Sequence, residues 1–215
     1  MRKMHLFGDS TCAEKAIDKR PETGWGEKLI DFLGPDWRVC NNAKNGMSTK
    51  SCLDSGTFLS GLERVEKGDV AIIEFGHNDS KEDPLRRTEP WTSYQENLTY
   101  MKDELEKRGA KVIFLSPITR RLFKDGHIYN SHGEYPEAMK ALSSRLGVPF
   151  VDMNKKTMAF FDSLGDEGSK RYFMNFPSGI YPNYPEGKSD NSHLRPEGAL
   201  LIASMVYEEI VDFIK

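Results

Sequence analysis

The chain of 215 residues has only three cysteines, Cys12, Cys40 and Cys52. An odd number with no close metal-ligand spacing argues against a disulfide framework and a thiolate metal site, so the thiols read as buried packing residues and no metal is expected. The chain also lacks a dominant charge. A formal net charge of −3 gives no electrostatic basis for holding nucleic acid or acidic lipid, and neither is expected as a partner. No apolar run reaches membrane-spanning length, so no membrane association is expected. The opening Met-Arg-Lys-Met leads directly into a short apolar run, without the long apolar segment and small-residue cleavage site of a secretory leader. A cytoplasmic location is the expectation, with secretion after removal of a leader as its alternative. No repeat, low-complexity tract or linker divides the sequence, so one domain over 1–215 is expected.

What the chain does have is a series of short apolar runs that each end in polar residues. Met4-His5-Leu6-Phe7 stops at Gly8-Asp9-Ser10-Thr11, and Trp37 to Asn42 leads into Ala43-Lys44-Asn45-Gly46. The run Asp69 to Phe75 is continuously apolar but for Glu74, as suits a strand buried on both faces of a parallel sheet, and it ends in Gly76-His77-Asn78-Asp79. Lys111–Leu115 and Pro149–Asp152 complete five strands. Helical spacing predicts helices over about 25–34, 52–65, 92–108, 135–146, 154–164 and 197–214, while 122–134 and the long stretch to 194 read as irregular. Strands alternating with helices indicate an α/β fold, a three-layer α/β/α sandwich around a parallel sheet. Ligands on such sheets lie beyond the carboxyl ends of the strands, where strand order reverses. In a flavodoxin-like order, 2-1-3-4-5, that point falls between the first and third strands, which end in Ser10 and Asn78.

A serine at the end of a strand, followed by a helix start, presents its hydroxyl in that crevice and its N–H where a developing anion is favoured. The same three residues, Asp9-Ser10-Thr11, also suit a plain helix cap. A serine nucleophile needs a base, and the base needs an orienting acceptor. Asp190 and His193 supply both within one turn, although an aspartate three residues before a histidine also occurs as a capped turn with a surface imidazole. Acyl transfer further requires donors for an oxyanion. Position offers the N–H of Ser10, the N–H of Gly46 and the amide of Asn78, each of which also has an ordinary turn role.

Gly8-Asp9-Ser10-Thr11, Asn42 to Gly46, Gly76-His77-Asn78-Asp79 and Asp190-Asn191-Ser192-His193 resemble the four sequence blocks of the SGNH (GDSL-type) hydrolases. Gly24-Trp25-Gly26, the Phe-Gly-His-Asn-Asp form of the third block, Arg120-Arg121 and Tyr181-Pro182-Asn183-Tyr184-Pro185-Glu186-Gly187 make the chain similar to the rhamnogalacturonan acetylesterase branch. The resemblance implies a flavodoxin-like fold and a cofactor-free serine esterase that removes acetyl groups from pectic saccharides through an acetyl-enzyme. It implies Ser10 as nucleophile, His193 as base and Asp190 as its orienter, with Ser10, Gly46 and Asn78 forming the oxyanion hole. Two positions depart from the pattern: Ser192 stands where threonine is common, and Leu194 where an aromatic is common. The expected partner is an acetylated oligosaccharide, of pectin or of another glycan such as xylan. A binding protein that kept this fold without turnover is the alternative from another class. Tyr181 and Tyr184 offer rings for pyranose faces, Arg120 and Arg121 offer guanidinium groups for uronates, and His132 lies on a loop over the same edge. The tyrosines equally suit packing of their own loop, the arginines internal ion pairs, and His132 a surface position.

Overall fold

The computed structural model describes all 215 residues. The strands are β1 (Arg2–Gly8), β2 (Trp37–Asn41), β3 (Val70–Glu74), β4 (Lys111–Leu115), β5 (Phe123–Lys124), β6 (His127–Ile128), β7 (Phe150–Val151), β8 (Phe173–Phe176) and β9 (Lys188–Leu194). The helices are α1 (Trp25–Lys28), α2 (Thr49–Asp54), α3 (Thr57–Leu62), α4 (Gln95–Lys107), α5 (Tyr135–Leu146), α6 (Met153–Ser169) and α7 (Pro196–Ile210).

Five parallel strands form one sheet in the order β2-β1-β3-β4-β7, the flavodoxin-like order expected. Side chains alternate between its faces with the period of two that a strand imposes. Met4, Leu6, Val70, Ile72, Ile113 and Leu115 face one core, under Trp25 and Leu29 and under α6 and α7, which contribute Phe161, Ile202 and Val206. Phe7, Ala71, Ile73, Val112 and Phe114 face the other, under Phe58 of α3, Leu98 and Met101 of α4, and Met139 and Leu142 of α5. Helices on both faces are why these strands read as unbroken apolar runs. The carboxyl ends of β1 and β3, paired through Gly8 and Glu74, open at the edge where the order reverses.

Local structure departs from the sequence expectations at several points. The turn after β1 closes with Ala13 N–H to Asp9 O (3.0 Å) but does not continue as a helix, so Ser10 sits on a single helical turn. The helix expected over 25–34 is one short α-turn followed by a 3₁₀ turn at Leu29–Asp31, and the one expected over 52–65 is split at Gly56. The run expected to be irregular to 194 contains the antiparallel ribbon β8–β9, and 122–134 contains the small hairpin β5–β6. Polar residues hide the extra strands, and Gly56, left-handed at φ +74°, breaks the helix expected over 52–65.

Candidate active site

Ser10 and His193 are 183 positions apart in sequence, yet His193 Nε2 lies 2.9 Å from Ser10 Oγ. On the other side of the ring, His193 Nδ1 lies 2.8 Å from Asp190 Oδ2. Asp190 Oδ1 is fixed in turn by the N–H groups of Ser192 (2.8 Å) and His193 (3.1 Å). Burial alone would raise the Asp190 carboxyl, but the imidazole bond and charge and those two N–H donors hold it well below the usual carboxylate range. Burial works against a charged His193, and the bond to Asp190 and its charge outweigh burial, so the imidazole pKa is raised. The base candidate is thus held in one tautomer, with Nδ1–H on the carboxylate and Nε2 facing the hydroxyl. It stands on β9, a strand, rather than on the loop before the last helix.

Three donors expected of an oxyanion hole keep a hydrogen free. The N–H groups of Ser10 and Gly46 donate to no protein acceptor. Asn78 Nδ2 gives one hydrogen to the Met47 carbonyl (2.9 Å) and keeps the second. Gly46, in the loop after β2, has φ +77°, a left-handed conformation that glycine adopts without strain.

The carboxyls beneath the site are buried. Asp9, Glu74 and Asp79 are fully or almost fully buried. Burial raises all three, Glu74 to about 8 with help from the nearby Asp9, and Asp79 to about 7. Thr11 Oγ1 lies 2.9 Å from Asp9 Oδ1 and 3.2 Å from Glu74 Oε2. The Thr11 hydroxyl can donate to only one of these carboxylates at a time, and the Asp9 charge beside Glu74 favours the protonated form of Glu74. The Gly24-Trp25-Gly26 segment closes over the turn: Trp25 N–H donates to Thr11 O (2.9 Å) and its indole to Glu74 (3.3 Å). A Cβ on Gly26 would come within 2.6 Å of the Cys12 carbonyl oxygen, so the close approach requires glycine.

The other expected contacts divide. His132 is neither on the surface nor open to a ligand: it is fully buried, 3.1 Å from His77 Nδ1 and 3.2 Å from Asn154 Nδ2. Asn154 Nδ2 also donates to the Pro117 carbonyl, which fixes its amide and makes His132 Nδ1 an acceptor. Burial and neighbouring positive groups keep both imidazoles well below the ordinary histidine value. Arg121 is also withdrawn from any substrate. Only 6% exposed, it bonds Asn191 Oδ1 through Nε (3.0 Å) and Nη2 (2.8 Å), pairs with Asp166, and so braces β9. Arg120 is half-buried and ties the His77 carbonyl (2.7 Å) to the Ser131 carbonyl (2.9 Å). Tyr181 and Tyr184 pack edge-on against Phe176. Tyr181 also lines a cavity of about 430 Å³ with Arg20, Thr23, Lys28 and Asn183. None of Ser10, Asp190, His193, Gly46 and Asn78 lines that cavity, so the two tyrosines are not brought to the candidate base by it.

Sequence reasoning passed over Lys15, Asn45 and Asn191. Lys15 bonds Ser10 O (2.5 Å), Asn45 Oδ1 (2.7 Å) and Glu22 (2.8 Å), and nothing in the polar segment around it marks it out. Glu74 did leave a signal, a carboxylate inside an otherwise apolar strand.

A strand-end serine bonded to a carboxylate-held imidazole on a flavodoxin-like sheet is the arrangement of a candidate nucleophile, base and orienter for ester hydrolysis. The sequence agrees over residues 6–198 with the GDSL-like Lipase/Acylhydrolase family, and the chain belongs to that family and is a carboxylic ester hydrolase. Over 209 residues it is 38% identical to the rhamnogalacturonan acetylesterase RhgT of Bacillus subtilis (strain 168), covering 97% of this chain and 89% of that protein. It is similar in fold to the crystal structure of the Bacillus subtilis protein YxiM, with a TM-score of 0.83 at 22% identity, covering 99% of this chain and 56% of the other. It is also similar in fold to a catalytic mutant of Axe2, an acetylxylan esterase from Geobacillus stearothermophilus, with a TM-score of 0.63 at 16% identity, covering 97% of this chain and 94% of the other.

Proposed function

We propose that the chain is a serine acetylesterase acting on acetylated pectic saccharides of the rhamnogalacturonan type, with Ser10, His193 and Asp190 as its triad. The observation that carries this is the hydrogen-bonded line from Ser10 Oγ through His193 to Asp190, at 2.9 and 2.8 Å. The pectic substrate is supported by the name of a relative 38% identical over nearly the whole chain.

Ser10 Oγ attacks the acetyl carbonyl carbon while His193 Nε2 takes its proton. The carbonyl electrons move onto oxygen, and that oxyanion is met by the N–H groups of Ser10 and Gly46 and the free hydrogen of Asn78 Nδ2. Collapse breaks the bond to the sugar oxygen, which leaves with the proton from His193. Water, deprotonated by the same imidazole, then attacks the acetyl-enzyme and releases acetate. Arg120 holds the loops of the third block and of Ser131 together beside the site.

The test is acetate release. Ser10→Ala is expected to lower turnover on p-nitrophenyl acetate by about a thousandfold or more, and near-normal turnover overturns the triad. Wild-type kcat/KM on acetylated rhamnogalacturonan fragments is expected to exceed that on acetylated xylan fragments, and the reverse order overturns the substrate.

A further inference from the structure

We propose that Lys15 is a positioning residue for acyl transfer: its ammonium ties the loop of the nucleophile to the loop of Gly46 and so fixes the two main-chain N–H donors of the oxyanion hole. The inference rests on the roles given above to Ser10, Gly46 and His193.

The Lys15 side chain is 1% exposed, and each hydrogen of its ammonium has one acceptor from a different part of the chain. These are the carbonyl oxygen of Ser10 at 2.5 Å, Oδ1 of Asn45 at 2.7 Å and Oε1 of Glu22 at 2.8 Å. Two of the acceptors are on residues that carry or directly precede the main-chain donors of the hole. Ser10 carries the first donor N–H, and the Gly46 N–H is part of the peptide joining Asn45 to Gly46. A glycine at φ +77° has little intrinsic preference to hold that peptide in one plane, so a restraint has to come from outside it, and the Asn45 side chain is where Lys15 grips. A compact ammonium with three donors fits three converging acceptors, whereas a planar guanidinium does not. Glu22 supplies the opposite charge that a buried ammonium requires. Glu27 holds the same segment from behind by accepting from the N–H groups of Lys15 (3.2 Å) and Gly24 (2.9 Å).

The charge acts on the base as well. Around His193 stand Asp190 on its own strand, Glu22 and Lys15 from the segment after the nucleophile, Asp9 from the nucleophile turn and His77 after β3. Among the groups that bear on His193 most, Asp190 and Glu22 favour its protonated form and Lys15 opposes it.

Steady-state kinetics on p-nitrophenyl acetate test the proposal, with the fold of each variant checked by circular dichroism. Lys15→Met is expected to lower kcat by about tenfold or more with KM within about threefold. It also moves the acid limb of kcat/KM to higher pH, because the opposing cation is gone and Glu22 is left uncompensated. Adding Glu22→Gln to Lys15→Met returns the limb towards that of the wild type without restoring kcat. Asn45→Ala, at an exposed position, lowers kcat severalfold while the limb stays in place. A wild-type kcat in Lys15→Met, or a loss confined to KM, overturns the proposal. Where Lys15→Met does not fold, an unchanged kcat in Asn45→Ala overturns it. Full activity in Ser10→Ala defeats the triad and this inference together, whereas an inactive Ser10→Ala beside an unaffected Asn45→Ala defeats the inference alone.

Discussion

Asp190 spends its two oxygens differently, and that asymmetry makes its amide replacement informative. Oδ1 accepts two main-chain N–H groups and Oδ2 faces His193 Nδ1. In Asp190→Asn the amide oxygen stays with the N–H donors, so the amide nitrogen must face Nδ1. That donor forces the ring proton onto Nε2, and the imidazole no longer accepts from Ser10. Turnover is expected to fall by about 10³- to 10⁴-fold with KM little changed, measured on p-nitrophenyl acetate. The wild-type imidazole must be neutral to act, and its pKa is raised, so kcat/KM is expected to fall as pH drops through a value above that of ordinary histidine. A pH profile on a neutral ester checks this, and an acid limb below the ordinary value contradicts it. At this scale the sequence was most legible, because serine, histidine, aspartate, glycine and asparagine are the residue types that ester hydrolysis requires. Arg121 and His132 misled for a physical reason: a cation or imidazole near a site in sequence order can equally be a buried strut, and only the fold distinguishes the two.

Among the elements, β9 was hardest to read. Its sequence, Lys-Ser-Asp-Asn-Ser-His-Leu, has no apolar alternation, because the strand is held by polar side chains rather than by a core. Asn191 accepts from Nε and Nη2 of the buried Arg121 and from Asn175 Nδ2 (3.0 Å), while the Asn191 carbonyl accepts from Arg121 N–H (2.7 Å). Asn191→Ala removes the side-chain acceptor and leaves a buried guanidinium short of partners. A loss of roughly 1.5–3 kcal/mol is expected in denaturant unfolding. It should be accompanied by lower activity, since the same strand carries Asp190 and His193. By contrast β3 was plain in the sequence, since a strand covered on both faces must be apolar throughout, and its one exception, Glu74, was the hint of the buried carboxyls beneath the nucleophile.

For the molecule as a whole, the buried carboxyls set a pH dependence of stability opposite to the usual acidic one. The folded chain keeps the Glu74 proton up to about pH 8, whereas the ordinary value is 4.5. Between those values the unfolded state sheds a proton that the folded state retains, so stability falls as pH rises through this window. Glu74→Gln carries no such proton. Wild type is therefore expected to lose stability relative to Glu74→Gln from pH 5 to pH 8 in denaturant titrations, and a wild type that holds constant or gains relative to the variant contradicts this. Sheet order and layer plan were legible from the alternation of runs, because two covered faces leave few alternatives. The lengths of α1, α2 and α3 were not, since short helices packed over a sheet owe more to their neighbours than to their own periodicity. The pairing of Ser10 with His193 across 183 positions has a further result for synthesis. A growing polypeptide displays its serine long before the imidazole leaves the ribosome and stays chemically unarmed until then, so nascent fragments have no means to attack esters prematurely.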